Sequence, residues 1–137
     1  MEIKILLIED DSDDIELMQD ALSLHKVQYE MEVITDGSEA LRYIQTCEEC
    51  PDVVVLDFNL PKIHGREMLN EIRNVPAFKD VPLVILTTSS LPEDIAYSYK
   101  NGASKYLVKP TTLQQIKEMV DIILALAREH QDKVKAL

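Results

Sequence analysis

Short apolar runs alternate along the chain with longer stretches in which apolar residues recur every three or four positions. The short runs predict strands, and the longer stretches predict amphipathic helices. Because the strands are short and apolar and each is followed by a helix, we expect an α/β fold with a parallel sheet covered on both faces. The five predicted strands are Ile3–Ile8, Tyr29–Ile34, Val53–Leu56, Val81–Leu86 and Lys105–Val108.

The helices are predicted from their apolar faces and from residues that favour helix ends. In chain order the faces are Ile15, Met18, Ala21 and Leu22; Ala40, Leu41 and Ile44; Met68, Leu69 and Ile72; and, in the last helix, Leu113, Ile116, Val120, Ile123 and Ala127. The predicted helix starts are Ser12 or Asp13, the capping box of Ser90 with Glu93, and Thr112 with Gln115. Asp36-Gly37 is a turn signal before the second helix. The fourth helix is expected to end near Asn101-Gly102, where glycine supplies a left-handed cap.

The composition fits one acidic globular domain. The chain has 137 residues, of which 46% are hydrophobic and 28% charged, and its formal net charge is -11. This charge argues against nucleic acid and anionic membranes as partners, since both attract Lys and Arg. The first apolar run is far too short to cross a bilayer. We therefore expect a single domain over residues 1–137, located in the cytoplasm.

Two cysteines, Cys47 and Cys50, form a C-x-x-C pair. A zinc site would need two more ligands at suitable spacing, and no second pair follows. The pair also comes after a predicted helix and before a strand, whereas a thioredoxin-like site lies at the start of a helix. We expect two reduced cysteines near a helix end.

Polar residues follow four of the five predicted strands. In a parallel sheet the carboxyl ends of the strands lie at one edge, which is where ligands bind. The residues at these ends are Glu9, Asp10 and Asp11; Asp57, Phe58 and Asn59; Thr87, Thr88 and Ser89; and Lys109 and Pro110.

These strand ends predict a metal-assisted phosphoryl site. Three carboxylates about 5 Å apart repel each other by about 3 kcal/mol per pair at an effective dielectric constant near 20, so Glu9, Asp10 and Asp57 must take up a proton or bind a cation. Oxygen ligands select a hard ion such as Mg²⁺. Lys109 can pair with phosphate oxygens and Thr87 can hydrogen-bond to them. Each residue alone is ordinary for its place, but a phosphoryl-accepting aspartate accounts for all of them.

The sequence resembles the receiver domain of two-component response regulators from about residue 3 to residue 126. The motifs that carry the resemblance are specific when taken together. They are Ile-Leu-Leu-Ile-Glu9-Asp10, Val-Val-Val-Leu-Asp57-Phe-Asn-Leu-Pro61, Val-Ile-Leu-Thr87-Thr88-Ser89 and Gly102-Ala-Ser-Lys-Tyr106-Leu-Val-Lys109-Pro110. The resemblance implies a doubly wound, flavodoxin-like sheet of five strands in the order 2-1-3-4-5, with five helices.

The resemblance also implies a role for each motif residue. Asp57 would accept the phosphoryl group, and Lys109 would contact it. Mg²⁺ would be bound by Asp10 and Asp57 directly, by Glu9 largely through water, and by the backbone carbonyl of Asn59.

The remaining implied roles concern the response to phosphorylation. Thr87 and Tyr106 would form a coupled switch pair, and a cis-favouring Lys109-Pro110 bond would shape the last loop. Within the family the chain looks like the phytochrome-associated single-domain regulators. Two residues depart from the common pattern: His64, expected to be a loop residue without a catalytic role, and Thr88, expected to narrow access to the site.

The resemblance covers nearly the whole chain, so we expect no output domain. The phosphoryl donor would be a sensor histidine kinase, such as a phytochrome, or a phosphotransfer protein, and an unidentified downstream protein would receive the signal. The alternatives are a phosphorelay intermediate and an interaction module that works without phosphorylation. The protein would be no enzyme beyond its own phosphoryl transfer and autodephosphorylation. An aspartyl-phosphate phosphatase is disfavoured by Asn59, where that chemistry needs an acid, and an FMN protein by the acidic loop after the first strand.

The last helix predicts a second surface. If the stripe that begins at Leu113 is buried, part of a second apolar set remains exposed and marks an interface. We expect a homodimer through the fourth helix, the fifth strand and the fifth helix, strengthened by phosphorylation. The second set is Met119, Ile122, Leu126 and Leu137.

Overall fold

A computed structural model describes residues 2–60 and 63–136. It contains a parallel sheet of five strands in the order β2-β1-β3-β4-β5, which confirms the predicted fold class. The strands are β1 (Ile3–Ile8), β2 (Tyr29–Ile34), β3 (Val53–Leu56), β4 (Leu83–Thr87) and β5 (Lys105–Val108). The helices are α1 (Ser12–Ser23), α2 (Gly37–Thr46), α3 (Gly65–Asn74), α4 (Pro92–Lys100) and α5 (Leu113–Lys135), with a 3₁₀ turn at Pro76–Phe78. Pro61 and Leu137, which the sequence predictions used, lie outside the described residues.

The strands bury both of their faces, as expected for a doubly wound sheet. Every residue of β3 and β4 is buried, whereas the edge strand β2 exposes Glu30 and Glu32. One apolar layer contains residues of α2 and α3 together with Tyr106. The opposite layer contains residues of α1 and α5. Alternate strand residues point into the two layers, so the sheet is held rigidly from both sides.

The start of α1 and the start of β4 differ from prediction. At α1 a neighbouring residue is the cap, and at β4 a proline lacks the N–H donor that a strand residue needs. The cap of α1 is Asp11, whose side chain accepts hydrogen bonds from the backbone N–H groups of Asp13 and Asp14. Strand β4 begins at Leu83 rather than at Val81, because Pro82 has no N–H to donate to the sheet.

The predicted capping box of α4 does not form. Pro92 is the first helical residue, which makes Leu91 the cap and leaves Ser90 one residue too early. By contrast, the Thr112 cap of α5 is confirmed, with Gln115 N–H donating to its hydroxyl. The end of α4 is also as predicted, since Gly102 has a φ of 99°.

The apolar surface of α5 was only partly predicted. Leu113 is 86% exposed because it lies in the first turn, and residues 111 to 115 are all exposed. Met119, a member of the second apolar set, is buried, since its long side chain reaches the apolar layer. Leu124, which the prediction left out, is buried too, while Ile122 and Leu126 are half-buried.

Among the described residues, no helix has both the length and the apolar character that a membrane crossing requires.

Candidate functional site

The register of β1 with β3 brings Glu9 and Asp57 together. Ile8 lies beside Leu56 in the sheet, and the Asp57 N–H continues the ladder by donating to the Ile8 carbonyl at 3.0 Å. Both acidic side chains follow directly and are buried. The sheet therefore holds two carboxylates at its carboxyl edge with little freedom to move apart.

Three carboxylates meet at this edge as predicted. The ligand oxygens of Glu9, Asp10 and Asp57 all lie within 4.8 Å of one another, and Asp10 is exposed to solvent. The pKa of Glu9 is raised to about 7, first by burial and then by a hydrogen bond to Asp57, against the lowering effect of the Asp11 N–H. Three carboxylates this close together repel one another, and their oxygen atoms suit a small divalent cation.

A close approach of two backbone segments shapes the loop after β3. The Gly65 N–H donates to the Phe58 carbonyl at 3.0 Å. A Cβ atom on Gly65 would lie 2.3 Å from the Cα of Phe58, so glycine is required there. Within the loop, Asp57 Oδ1 accepts a hydrogen bond from the Asn59 N–H at 3.1 Å. The other carboxylate oxygen of Asp57 is left facing Lys109.

Lys109 brings a positive charge to the carboxylates. Its Nζ lies 3.4 Å from Asp57 Oδ2, 3.2 Å from Glu9 Oε2 and 2.6 Å from Asp14 Oδ2. Burial alone would lower the pKa of Lys109, but these three acidic neighbours outweigh it and leave the pKa raised. The lysine is thus a permanent cation. Asp14, in the first turn of α1, was not assigned to the site from the sequence.

An open cleft of about 600 Å³ gives access to these groups. Thr88 lies on its wall and is exposed. The residues that line the cleft are Asp10, Asp11, Ser12, Asp13, Asp14, Asp57, Asn59, Thr88 and Lys109. Five carboxylates and one ammonium group give the cleft a strongly negative field that favours a cation.

Thr87 and Tyr106 both contact the backbone of Ser89. The buried Thr87 hydroxyl accepts a hydrogen bond from the Ser89 N–H at 3.3 Å, and the Tyr106 hydroxyl donates to the Ser89 carbonyl at 2.9 Å. The Tyr106 ring packs edge-on against Phe58, with ring centroids 6.1 Å apart. The two residues are therefore linked through Ser89, to which the sequence analysis gave no role.

The side chain of Ser89 extends this link to α3. Its hydroxyl donates to Asp94 Oδ2 at 2.6 Å, and Arg66 Nε donates to Asp94 Oδ1 at 3.2 Å. The Arg66 guanidinium also lies 4.7 Å from the centre of the Tyr97 ring. No sequence motif pointed to this network, because its members lie in different elements and are ordinary surface residue types.

The other residues singled out from the sequence lie outside the cleft lining. His64 lies in the loop before α3, as expected, and is the N-cap of that helix, where its Nδ1 accepts from the Arg66 N–H. Cys47 and Cys50 are free thiols at the end of α2, as expected. The described residues contain no cis peptide bond, so the Lys109-Pro110 bond is trans, the intrinsically favoured isomer, contrary to the implied cis preference.

Comparison with known proteins gives a consistent result. The family model described as "Response regulator receiver domain" matches residues 5–121. The chain is 37% identical to the response regulator Rcp1 of Synechocystis over 121 residues, covering 85% of this chain and 82% of that protein. A crystal structure of the Mn²⁺-bound form of Rcp1 matches with a TM-score of 0.80 at 36% identity, covering 88% of this chain and 91% of that one.

Two further solved structures are similar. The phosphorylated cyanobacterial phytochrome response regulator RcpA has a TM-score of 0.82 at 37% identity, with 90% of this chain and 95% of that chain covered. The receiver domain of a sensor histidine kinase from Pseudomonas aeruginosa, with a magnesium ion in its active-site cleft, has a TM-score of 0.77 at 25% identity, covering 93% and 98% of the two chains.

Proposed function

Since this chain belongs to the family of response regulator receiver domains, we propose that it is a signalling switch that accepts a phosphoryl group on Asp57 in a Mg²⁺-dependent reaction. The observation that carries this proposal is the meeting of Glu9, Asp10 and Asp57 with Lys109 at one cleft. In this proposal residues 1–137 act as one receiver domain.

Asp57 is the nucleophile in the proposed reaction. One of its carboxylate oxygens forms a bond to the phosphorus of the donor while the donor's own bond to phosphorus breaks. Asp57 Oδ1 is oriented by the Asn59 N–H, which leaves Oδ2 directed towards Lys109. This orientation presents a single oxygen to the incoming group, which lowers the entropic cost of transfer.

The donor set fits a hard divalent ion. Asp10 and Asp57 would bind Mg²⁺ directly, Glu9 would act largely through water, and the Asn59 carbonyl would be a further ligand. When bound, the ion neutralises charge on the transferred phosphoryl group. Support comes from the Mn²⁺-bound form of Rcp1 and from the magnesium ion in the Pseudomonas receiver domain.

Lys109 and Thr87 would contact the phosphoryl oxygens once transfer has occurred. The Thr87 hydroxyl accepts from the Ser89 N–H in this structure, and its own O–H would donate to a phosphoryl oxygen. Movement of Thr87 towards the phosphoryl group would pull on Ser89, whose carbonyl accepts from the Tyr106 hydroxyl. Thr87 and Tyr106 would in this way report the state of Asp57 to the surface made by α4 and β5.

The partners follow from the same chemistry. The donor would be a sensor histidine kinase or a phosphotransfer protein in the cytoplasm, and the likeness to the phytochrome response regulator RcpA supports a phytochrome kinase. An unidentified protein would bind the phosphorylated form, whereas the charge of -11 disfavours nucleic acid and membranes. The protein would catalyse only its own phosphorylation and autodephosphorylation.

The phosphorylated form would also pair with itself through α4, β5 and α5. Apolar side chains exposed in this region include Val108 at 48% and Leu91 at 53%. Tyr106 lies in the same region, so its hydrogen bond to Ser89 would connect pairing to Asp57.

Incubation with acetyl phosphate, followed by intact-mass measurement, tests the proposal. We expect the wild type to gain the mass of one phosphoryl group with Mg²⁺ present and to gain none when a chelator removes the metal. Asp57→Asn should gain none in either case. Asp20→Asn, which makes the same charge change at an exposed site on α1, should behave like the wild type. A folded wild type that takes up no phosphoryl group with Mg²⁺ would refute the proposal.

A further inference from the structure

The shortest contact of the Lys109 ammonium is with Asp14, a residue without an assigned role. Asp14 lies in the first turn of α1, and its Oδ2 is 2.6 Å from Lys109 Nζ. The Asp14 N–H is bound by the capping carboxylate of Asp11 at 3.1 Å, which fixes the backbone from which the Asp14 side chain projects. The contact therefore joins a fixed point on α1 to the lysine of the phosphoryl site.

Asp14 competes with Asp57 for the same cation. A lysine ammonium has three N–H donors, and here it faces three carboxylates, those of Asp14, Glu9 and Asp57. The separation grows from 2.6 Å at Asp14 through 3.2 Å at Glu9 to 3.4 Å at Asp57. Asp14 is also the most accessible of the three, with a side chain 31% exposed against 2% and 3% for Glu9 and Asp57. The lysine is thus held towards the outer, α1 side of the cleft.

We propose that Asp14 is a positioning residue for phosphoryl transfer, which holds Lys109 towards α1 until a phosphoryl group on Asp57 competes for the ammonium. This inference rests on the proposed function of Asp57. In the transfer from acetyl phosphate, a bond forms between an Asp57 oxygen and phosphorus, the phosphorus–acetate bond breaks, and acetate leaves with the bonding electrons. Lys109 keeps its protons and moves its hydrogen bond from Asp14 to a phosphoryl oxygen.

The restraint sets a cost on the transfer. A hydrogen bond from an ammonium to a carboxylate is about twice as strong as one to a neutral oxygen. Replacing the Asp14 carboxylate by an amide therefore weakens the hold on Lys109 and makes it more available to the transferred group. We expect the initial rate of phosphorylation by acetyl phosphate to rise about fivefold in Asp14→Asn, an increase that corresponds to roughly 1 kcal/mol at about 1.4 kcal/mol per factor of ten.

A matched control separates this effect from the general charge of the cleft. Asp13 lines the same cleft, sits in the same helical turn and is exposed, but the ion pairs of Lys109 do not include it. Asp13→Asn changes the net charge by the same amount and leaves the lysine bound. Any rate increase in Asp13→Asn measures the reduced repulsion of the anionic donor alone.

The test is the initial phosphorylation rate of the full chain with Mg²⁺, measured by intact mass for the wild type, Asp13→Asn, Asp14→Asn, Asp14→Ser and Asp14→Glu. Melting curves confirm that each variant is folded. If Asp14→Asn does not fold, Asp14→Ser still removes the carboxylate and allows the test. We expect Asp14→Asn and Asp14→Ser to exceed Asp13→Asn, and Asp14→Glu to return to the wild-type rate. Equal rates in the folded Asp14 variants and Asp13→Asn would overturn the inference. A wild type that takes up no phosphoryl group would instead refute the proposed function.

Discussion

The hydroxyl of Tyr106 donates a hydrogen bond to the main-chain carbonyl of Ser89, 17 residues earlier in the chain, at 2.9 Å. The Ser89 N–H donates to the Thr87 hydroxyl, so Ser89 connects the buried Thr87 with the Tyr106 side chain of β5. Ser89 is thus the point at which a change at Asp57 would first alter the β4–α4 loop.

Removal of the Tyr106 hydroxyl should weaken this loop. Tyr106→Phe leaves the Ser89 carbonyl without its donor, which we expect to lower the free energy of unfolding by about 1 kcal/mol. Urea denaturation measures the change. Tyr29→Phe is the control, since the Tyr29 hydroxyl makes only a long contact of 3.5 Å with Gln19. Equal losses in the two variants would contradict a specific role for the Tyr106 bond.

The Ser89–Asp94–Arg66 network should make stability depend on pH. Hydrogen bonds from Ser89 and Arg66 lower the pKa of Asp94 below its ordinary value of 3.8. A carboxyl whose pKa is lowered by folding stabilises the protein at pH values above its unfolded pKa, and this contribution is lost as the pH falls through the folded pKa. Asp94→Asn should therefore lower the free energy of unfolding at neutral pH, with a difference from the wild type that shrinks in acid.

Urea denaturation at a series of pH values measures this difference. Glu93→Gln is the control, because Glu93 is exposed and precedes Asp94 in the chain, and the substitution removes the same charge. If the loss of unfolding free energy in Asp94→Asn stays constant below pH 3.8, the hydrogen bonds from Ser89 and Arg66 do not lower the pKa of Asp94 in the folded protein.

Mg²⁺ should stabilise the fold through the carboxylate cluster. At about ten times its dissociation constant, a ligand that binds only the native state adds roughly 1.4 kcal/mol, or about 5 °C in melting temperature for a domain of this size. Asp10→Asn removes one ligand and should reduce the gain. Asp20→Asn, with the same charge change outside the cluster, should keep it. Equal gains in both variants, or melting temperatures indifferent to Mg²⁺, Mn²⁺ and Ca²⁺, would disprove the metal site.

Phosphorylation should strengthen pairing through α4, β5 and α5. Val108 on β5 is 48% exposed, so Val108→Glu places a charge in the proposed interface without disturbing the core. Light scattering coupled to size exclusion, with and without beryllofluoride, measures the mass. We expect the wild type to form dimers with beryllofluoride and Val108→Glu to remain monomeric. Leu24→Glu changes an even more exposed residue, 84% exposed at the end of α1, and should still dimerise. A wild type that stays monomeric in both states would rule out pairing.

The distribution of apolar residues predicted the order of strands and helices along the chain, because the central strands bury both faces and each helix buries one. It failed at α5, where Leu113 has the spacing of a buried residue but lies in a turn that covers no apolar surface. It also misplaced the α4 start, since the position of Pro92 outweighed the Ser90–Glu93 pattern.

The sequence predicted those site residues that directly follow a strand. Glu9, Asp10, Asp57 and Lys109 meet because parallel register carries their strands to one edge. Asp14 and Asp94 were not predicted as partners of Lys109 and Ser89, because their contacts depend on how helices lie against the edge. A local pattern contains no information about that packing.

Asp57 itself should carry the phosphoryl group. Phosphorylation with acetyl phosphate and Mg²⁺, reduction of the acyl phosphate with borohydride and peptide mass mapping would locate the modified residue. We expect the reduced side chain at position 57 in the wild type and no reduced carboxyl group in Asp57→Asn. Modification at Asp10, Asp14 or Glu9 in place of Asp57, or a stable phosphoryl group on the Asp57→Asn protein, would contradict this expectation.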